Sequence, residues 1–156
     1  MTGYREQGPP PCMIHIDKEG VWYHEGAEMI HREFIRLFYQ RMTLDDAGRY
    51  VIELNDQRCC VDVEDTAYVV RRAVPEGGDG GAPSRIVLSL SDDSTETLAS
   101  AGLWVGKDNV LYCSVKEGRF PARFNRAAYY QLSEYIEEGE EGFYLKLDGG
   151  RYPVKI

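Results

Sequence analysis

The chain has 156 residues, 43% apolar and 28% charged, enough for one domain or two small halves around a core. Its formal net charge of -8 is evenly spread: 9 Lys+Arg stand against 13 Asp+Glu in residues 1–75, and the same numbers recur in residues 76–156. That balance argues against a broad nucleic-acid surface, which needs a basic face to displace counterions, and no apolar run reaches the roughly 18 residues of a membrane span.

Residues 1–12 read as a flexible leader, because Gly8 and Pro9-Pro10-Pro11 suit neither a helix start nor a central strand. The leader lacks the apolar stretch of a signal peptide, so the cytoplasm is the expected compartment. Cys12, Cys59, Cys60 and Cys113 have no metal-type spacing and are expected as free thiols, with no metal or cofactor. The first half is expected over residues 13–75, a mobile Gly-rich linker over 76–83, and the second half over 84–156, packed as one compact unit.

In chain order, residues 13–17 alternate apolar and polar, and Lys18-Glu19-Gly20 turns them toward Val21-Trp22-Tyr23, a hairpin. Ile30, Phe34, Leu37, Phe38 and Met42 then form a helical stripe expected to face the core, with Arg32, Glu33, Arg36 and Arg41 outward. Asp45 to Gly48 reads as a turn, and Tyr50 to Leu54 with Arg58 to Val63 as a second hairpin around Asn55-Asp56. Tyr68 to Val70, Arg85 to Leu90 and Val110 to Val115 read as strands, whereas Ser91 to Ala101 is polar and at best weakly helical. Asn125 is expected to cap a helix running to about Glu138, with Phe124 and Tyr129 as a hydrophobic staple, before two closing strands.

The chain repeats itself. Lys18-Glu19-Gly20 returns as Lys116-Glu117-Gly118, each followed two residues on by an aromatic, Trp22 and Phe120. Ile30, Phe34, Ile35, Phe38 and Met42 recur as Phe124, Ala128, Tyr129, Leu132 and Ile136, a constant offset of 94 that holds through Tyr50 and Tyr144. The expected fold class is therefore α+β: mostly antiparallel sheet with two helices and an internally duplicated strand-helix-strand motif, with a groove between related halves.

Chemistry is harder to find. His15, His24 and His31 lack the spacing of a metal-binding helix, and structural or surface roles suit them better. Cys59 and Cys60 are neighbours on a strand and point to opposite faces, so they share neither metal nor substrate. The Gly-rich segment lacks the Lys-Ser/Thr of a phosphate loop, and no Gly-x-Ser-x-Gly occurs. The basic run Lys116, Arg119, Arg123 and Arg126 stands out in an acidic chain, with Asn125 and Arg126 opening a helix whose free amides would favour an anion. Arg119, Arg123, Asn125 and Arg126 are the candidate polar contacts to a small anionic ligand, with Trp22 and Tyr130 as apolar walls. The alternative is that these arginines satisfy surface carboxylates and that both aromatics are core.

Three blocks, Ile14 to Gly26, Arg32 to Phe38 and Val63 to Val69, together with Ala122-Arg123-Phe124-Asn125-Arg126-Ala127-Ala128-Tyr129-Tyr130-Gln131-Leu132, resemble the bacterial family called domain of unknown function 1285. The resemblance spans about residues 13–136 and departs from the pattern around Glu76–Pro83 and Asp92–Leu98. It implies a small bacterial α+β protein with repeated motifs, engaged in ligand binding or signalling, and supplies no catalytic residues. The expected function is a non-enzymatic ligand-binding or regulatory module with a small anionic ligand or a protein partner, and with neither nucleic acid nor membrane. A small hydrolase using carboxylate or His chemistry and a protein–protein adaptor are the alternatives, and edge strands would allow a homodimer.

Overall fold

The computed structural model describes residues 8–78 and 81–156; residues 1–7 of the leader expected over 1–12, and Asp79 and Gly80 of the linker, lie outside the described residues. The chain divides into two compact units, Met1–Ala67 and Tyr68–Ile156.

The first unit runs β1 (Pro11–Ile16), β2 (Trp22–His24), β3 (Ala27–Glu28), α1 (Arg32–Gln40), β4 (Met42–Leu44), β5 (Tyr50–Leu54) and β6 (Gln57–Val63). These strands form one sheet in the order β3-β2-β1-β6-β5-β4. Every neighbouring pair is antiparallel except β1 and β6, which run parallel. Local chemistry fixes the turns. Asp17 accepts from the amides of Glu19 and Val21, at 2.9 and 3.0 Å, around Gly20 with φ 84. Asn55 and Asp56 hold φ 53 and 64, the left-handed pair that a two-residue hairpin between β5 and β6 demands.

Three expectations are corrected here. Pro11 and Cys12, read as leader, begin β1; proline is tolerated as a first strand residue, where its missing N–H matters least. Cys12 and Cys59, read as free thiols, form a disulfide. Such bonds persist in oxidising compartments, so the cysteines do not support the reducing compartment inferred from the sequence. The buried face of α1 is also rotated from the expected stripe. Ile35 and Tyr39 are buried, and Tyr39 Oη donates to the Ala67 carbonyl at 2.7 Å. Ile30 and Phe34, assigned to the core, are 74% and 50% exposed, and Met42 belongs to β4.

The second unit runs β7 (Tyr68–Glu76), β8 (Arg85–Leu90), β9 (Thr95–Thr97), β10 (Trp104–Val105), β11 (Leu111–Val115), β12 (Phe120–Phe124), α2 (Arg126–Ser133), β13 (Ile136–Gly139), β14 (Gly142–Leu147) and β15 (Gly150–Pro153). One sheet has the order β10-β11-β12-β7-β8-β9, and a three-stranded sheet has β13-β14-β15. Thr95–Thr97 lies in the stretch read as weakly helical. Helix α2 stops at Ser133, and Ile136–Gly139 is strand where helix was expected to Glu138.

The duplication is visible in strand order. A parallel bridge between Trp104 and Lys155 joins the end of the β13-β14-β15 meander to β10. The path β13-β14-β15-β10-β11-β12 then repeats β4-β5-β6-β1-β2-β3 strand for strand, with the same parallel step in the same place. Each frame sends its helix out after the corresponding strand, β3 or β12, and back into the meander. The two Lys-Glu-Gly turns are real but not equivalent: the first joins β1 to β2, two strands before α1, and the second joins β11 to β12, one strand before α2. Strands β7, β8 and β9 extend the second frame beyond β12.

Candidate functional site

In the first unit a cavity of about 640 Å3 opens beside α1 and its sheet. Strand alternation supplies the floor. Ile52 and Leu54 of β5 share a face, and their cross-strand partners on β6 are Cys59 and Gln57. Cys12 and Ile14 of β1 and His24 of β2 continue the wall. Phe34 and Phe38 stand one helical turn apart on α1 and face the same space, with Met29 just before the helix. The disulfide ties β1 to β6 within this wall. It closes at a bulge where the β1–β6 register shifts between Pro11 and His15 and Met13 takes φ 64.

The polar lining residues are His24 on β2 and Asn55, Gln57 and Arg58 from the hairpin tip and the start of β6. Arg58 is the cross-strand partner of Glu53 and forms an ion pair with it, Nε to Oε2 at 3.7 Å. An arginine among the residues lining an apolar trough is a candidate partner for a carboxylate or another acceptor head group whose body the trough covers.

The sequence-derived site residues fall in separate places. Trp22 is in the first unit and 1% exposed; it stacks on Phe38 at 6.2 Å and meets Tyr39 edge-on at 4.8 Å. It therefore backs Phe38 rather than lining the cavity, and its indole N–H finds no acceptor among the described residues. Arg123, Asn125, Arg126 and Tyr130 are in the second unit around the start of α2, whereas Arg119 sits in the β11–β12 turn at the other end of β12. Asn125 caps the helix, accepting from Ala128 N at 2.8 Å. Arg119 Nε donates to the Lys116 carbonyl at 3.0 Å, and its guanidinium lies 5.8 Å from the Phe120 ring. Arg123 is half-buried on β12, Arg126 is exposed, and Tyr130 is exposed against Tyr129. Lys116 is held by Asp92 at 2.7 Å, so part of the basic run neutralises a nearby carboxylate.

Acid–base and nucleophilic groups are dispersed. His15 pairs with Asp62 at 2.6 Å across β1 and β6. Burial pushes the Cys113 thiol up to about 12, with Glu96 adding to the rise, which leaves it inert as a nucleophile. No cluster of three metal-ligating side chains occurs among the described residues. No helix among them is long and apolar enough to cross a membrane.

A second cavity, about 420 Å3, lies in the second unit. Its walls come from β10 (Val105), β11 (Leu111), α2 (Tyr129, Ser133), β13 (Ile136) and β14 (Phe143), with Asn109 and, past the meander, Val154 and Ile156.

Sequence reasoning missed the first cavity because it assigned Phe34 to the core. The usable signal was excess: α1 carries more large apolar residues than one nine-residue helix can bury on one face.

No family model matches the chain, and no curated protein does. Solved structures do. A DUF1285 family protein from Silicibacter pomeroyi DSS-3 superposes with a TM-score of 0.77 at 17% identity, covering 95% of this chain and 84% of that one. Another from Shewanella baltica OS155 gives 0.64 at 19% identity, covering 78% of this chain and 91% of that one. Over most of its length, the chain has the fold of DUF1285 family proteins.

Proposed function

We propose that this protein is a non-enzymatic ligand-binding module of regulatory type, and that the groove of the first unit takes a small amphipathic molecule. The ligand is an apolar chain or ring with one anionic or acceptor head. The observation that carries this reading is Phe34, half-exposed above the apolar surface of β5, with Arg58 among the residues lining the same cavity. Leaving a Phe half in water forgoes roughly 1 kcal/mol of burial, which a bound apolar body would recover. The volume is that of a small-molecule site. An anion at the start of α2 has less support, because Asn125 uses its carboxamide on its own helix and Arg119 lies at the opposite end of β12, bonded to the Lys116 carbonyl.

Dodecanoate and dodecan-1-ol test the head-group preference. Calorimetry on the wild type should show dodecanoate binding about tenfold tighter, and Arg58→Gln should erase the difference while leaving the alcohol unchanged. Equal binding of both by the wild type, or none by dodecanoate, would sink the reading.

A further inference from the structure

The second cavity occupies the place in its frame that the first occupies in the other. Strands β10, β11 and β14 and helix α2 stand where β1, β2, β5 and α1 stand, so the space between helix and meander is a feature of the duplicated frame. The lining has changed character: the stretch equivalent to β6, which brings Arg58 to the first cavity, here brings Val154 and Ile156. None of the lining side chains is charged; those with polar groups are Asn109, Ser133 and Tyr129. At the mouth, Tyr129 of α2 and Phe143 of β14 remain 40% and 42% exposed.

We infer that this cavity is a second binding site, for an uncharged small molecule with an aromatic or compact aliphatic body and at most one hydrogen-bonding group. An anionic ligand would lose hydration here without gaining a counter-charge, whereas a neutral ring loses little and covers Tyr129 and Phe143. A volume of about 420 Å3 admits a two-ring body and suits a small molecule rather than a protein segment. The inference shares the duplicated frame with the proposed function but assigns a different ligand class, so the two can fail separately.

Two ligands with one ring system decide it: 2-naphthol, neutral at pH 6.5, and 2-naphthoate, an anion. Amide shifts in two-dimensional NMR of the full chain locate each ligand. 2-Naphthol should move the amides of Val105, Ser133 and Phe143, and bind there about tenfold tighter than 2-naphthoate. Ser133→Trp, which fills the cavity, should abolish those shifts. Phe143→Ala, which keeps the cavity but removes one wall, should weaken them about fivefold and serves if the first variant misfolds. If 2-naphthol leaves these amides unmoved, or 2-naphthoate binds there as well, the inference is wrong. Shifts confined to the second unit, with Ile52 to Arg58 silent toward 2-naphthoate, would sink the proposed function and leave this inference standing.

Discussion

The two units share a frame but use their helices differently. Helix α1 buries Ile35 and Tyr39 and turns Phe34 and Phe38 toward a cavity; α2 buries Ala128 and Leu132. Gln131 of α2 reaches Ala73 N at 2.8 Å on β7, beyond the bulge in that strand, so α2 is anchored by a polar contact to the added strands. Among its described residues the first unit has no such extension, and it carries a disulfide in the cavity wall. Duplication has kept the backbone path and let the walls diverge, so ligand chemistry is set by a few side chains at corresponding strand positions. One wall has an arginine among its residues; the other has no charged side chain.

The largest expected effect separates the covalent and non-covalent units. Cys12→Ser with Cys59→Ser opens a link of sequence separation 47, and loop-closure entropy puts the loss at about 4 kcal/mol. Urea unfolding followed at Trp22, in a Trp104→Phe background, should register it. An unchanged midpoint would mean that the disulfide does not constrain the first unit.

Next comes the contrast between the helices. Leu132→Ala in α2 should cost about 3 kcal/mol, because the side chain is fully buried, whereas Phe34→Ala in α1 should cost under about 1 kcal/mol. The ligand response should invert: Phe34→Ala weakens dodecanoate about tenfold and Leu132→Ala leaves it unchanged. Comparable destabilisation by both would return Phe34 to the core and remove the basis of the groove.

A smaller difference lies at the helix starts. Asn125 caps α2 through its side chain, whereas His31 at the start of α1 makes no side-chain cap bond. Asn125→Ala should lower stability by about 1 kcal/mol and His31→Ala by almost nothing, read from thermal melts of both variants. Equal losses would show that the cap bond contributes nothing in α2.

The smallest effect is electrostatic. Hydrogen bonds from the backbone N–H of Arg49, then the Arg49 side chain and the Ala47 amide, hold the Asp45 carboxyl below its ordinary value of 3.8. A carboxyl with a depressed folded-state pKa stabilises the fold above its unfolded pKa, and that contribution fades as pH falls through the folded value. Stability should therefore fall on acidification below about pH 4, and less steeply in Asp45→Asn. Parallel acid titrations of the two proteins would refute this.

Much of the frame was legible because turns are written locally. Asn55-Asp56 marked the β5–β6 hairpin, Gly20 the first turn, and the offset of 94 the two helices. The α2 end was misplaced because no breaker precedes Gly139, so Ile136 to Glu138 read as continued helix. The cavity was not legible for a physical reason. Periodicity reports which residues are apolar, not whether folding covers them, and Phe34 looks the same in sequence whether it faces a core or a groove. The disulfide was hidden too, since pairing Cys12 with Cys59 depends on the parallel contact of β1 and β6, a tertiary fact. Trp22 and Asn125 were found by sequence reasoning, and both carry structural contacts: stacking behind Phe38 and capping α2.

The most direct test is calorimetric titration of dodecanoate into the wild type and Leu54→Trp, a variant that fills the first cavity from its β5 wall. The account expects one saturable site in the wild type and none in Leu54→Trp, with the two thermal midpoints within a few degrees of each other. Equal binding by the two proteins would contradict it, because the ligand would then sit somewhere other than the groove of the first unit.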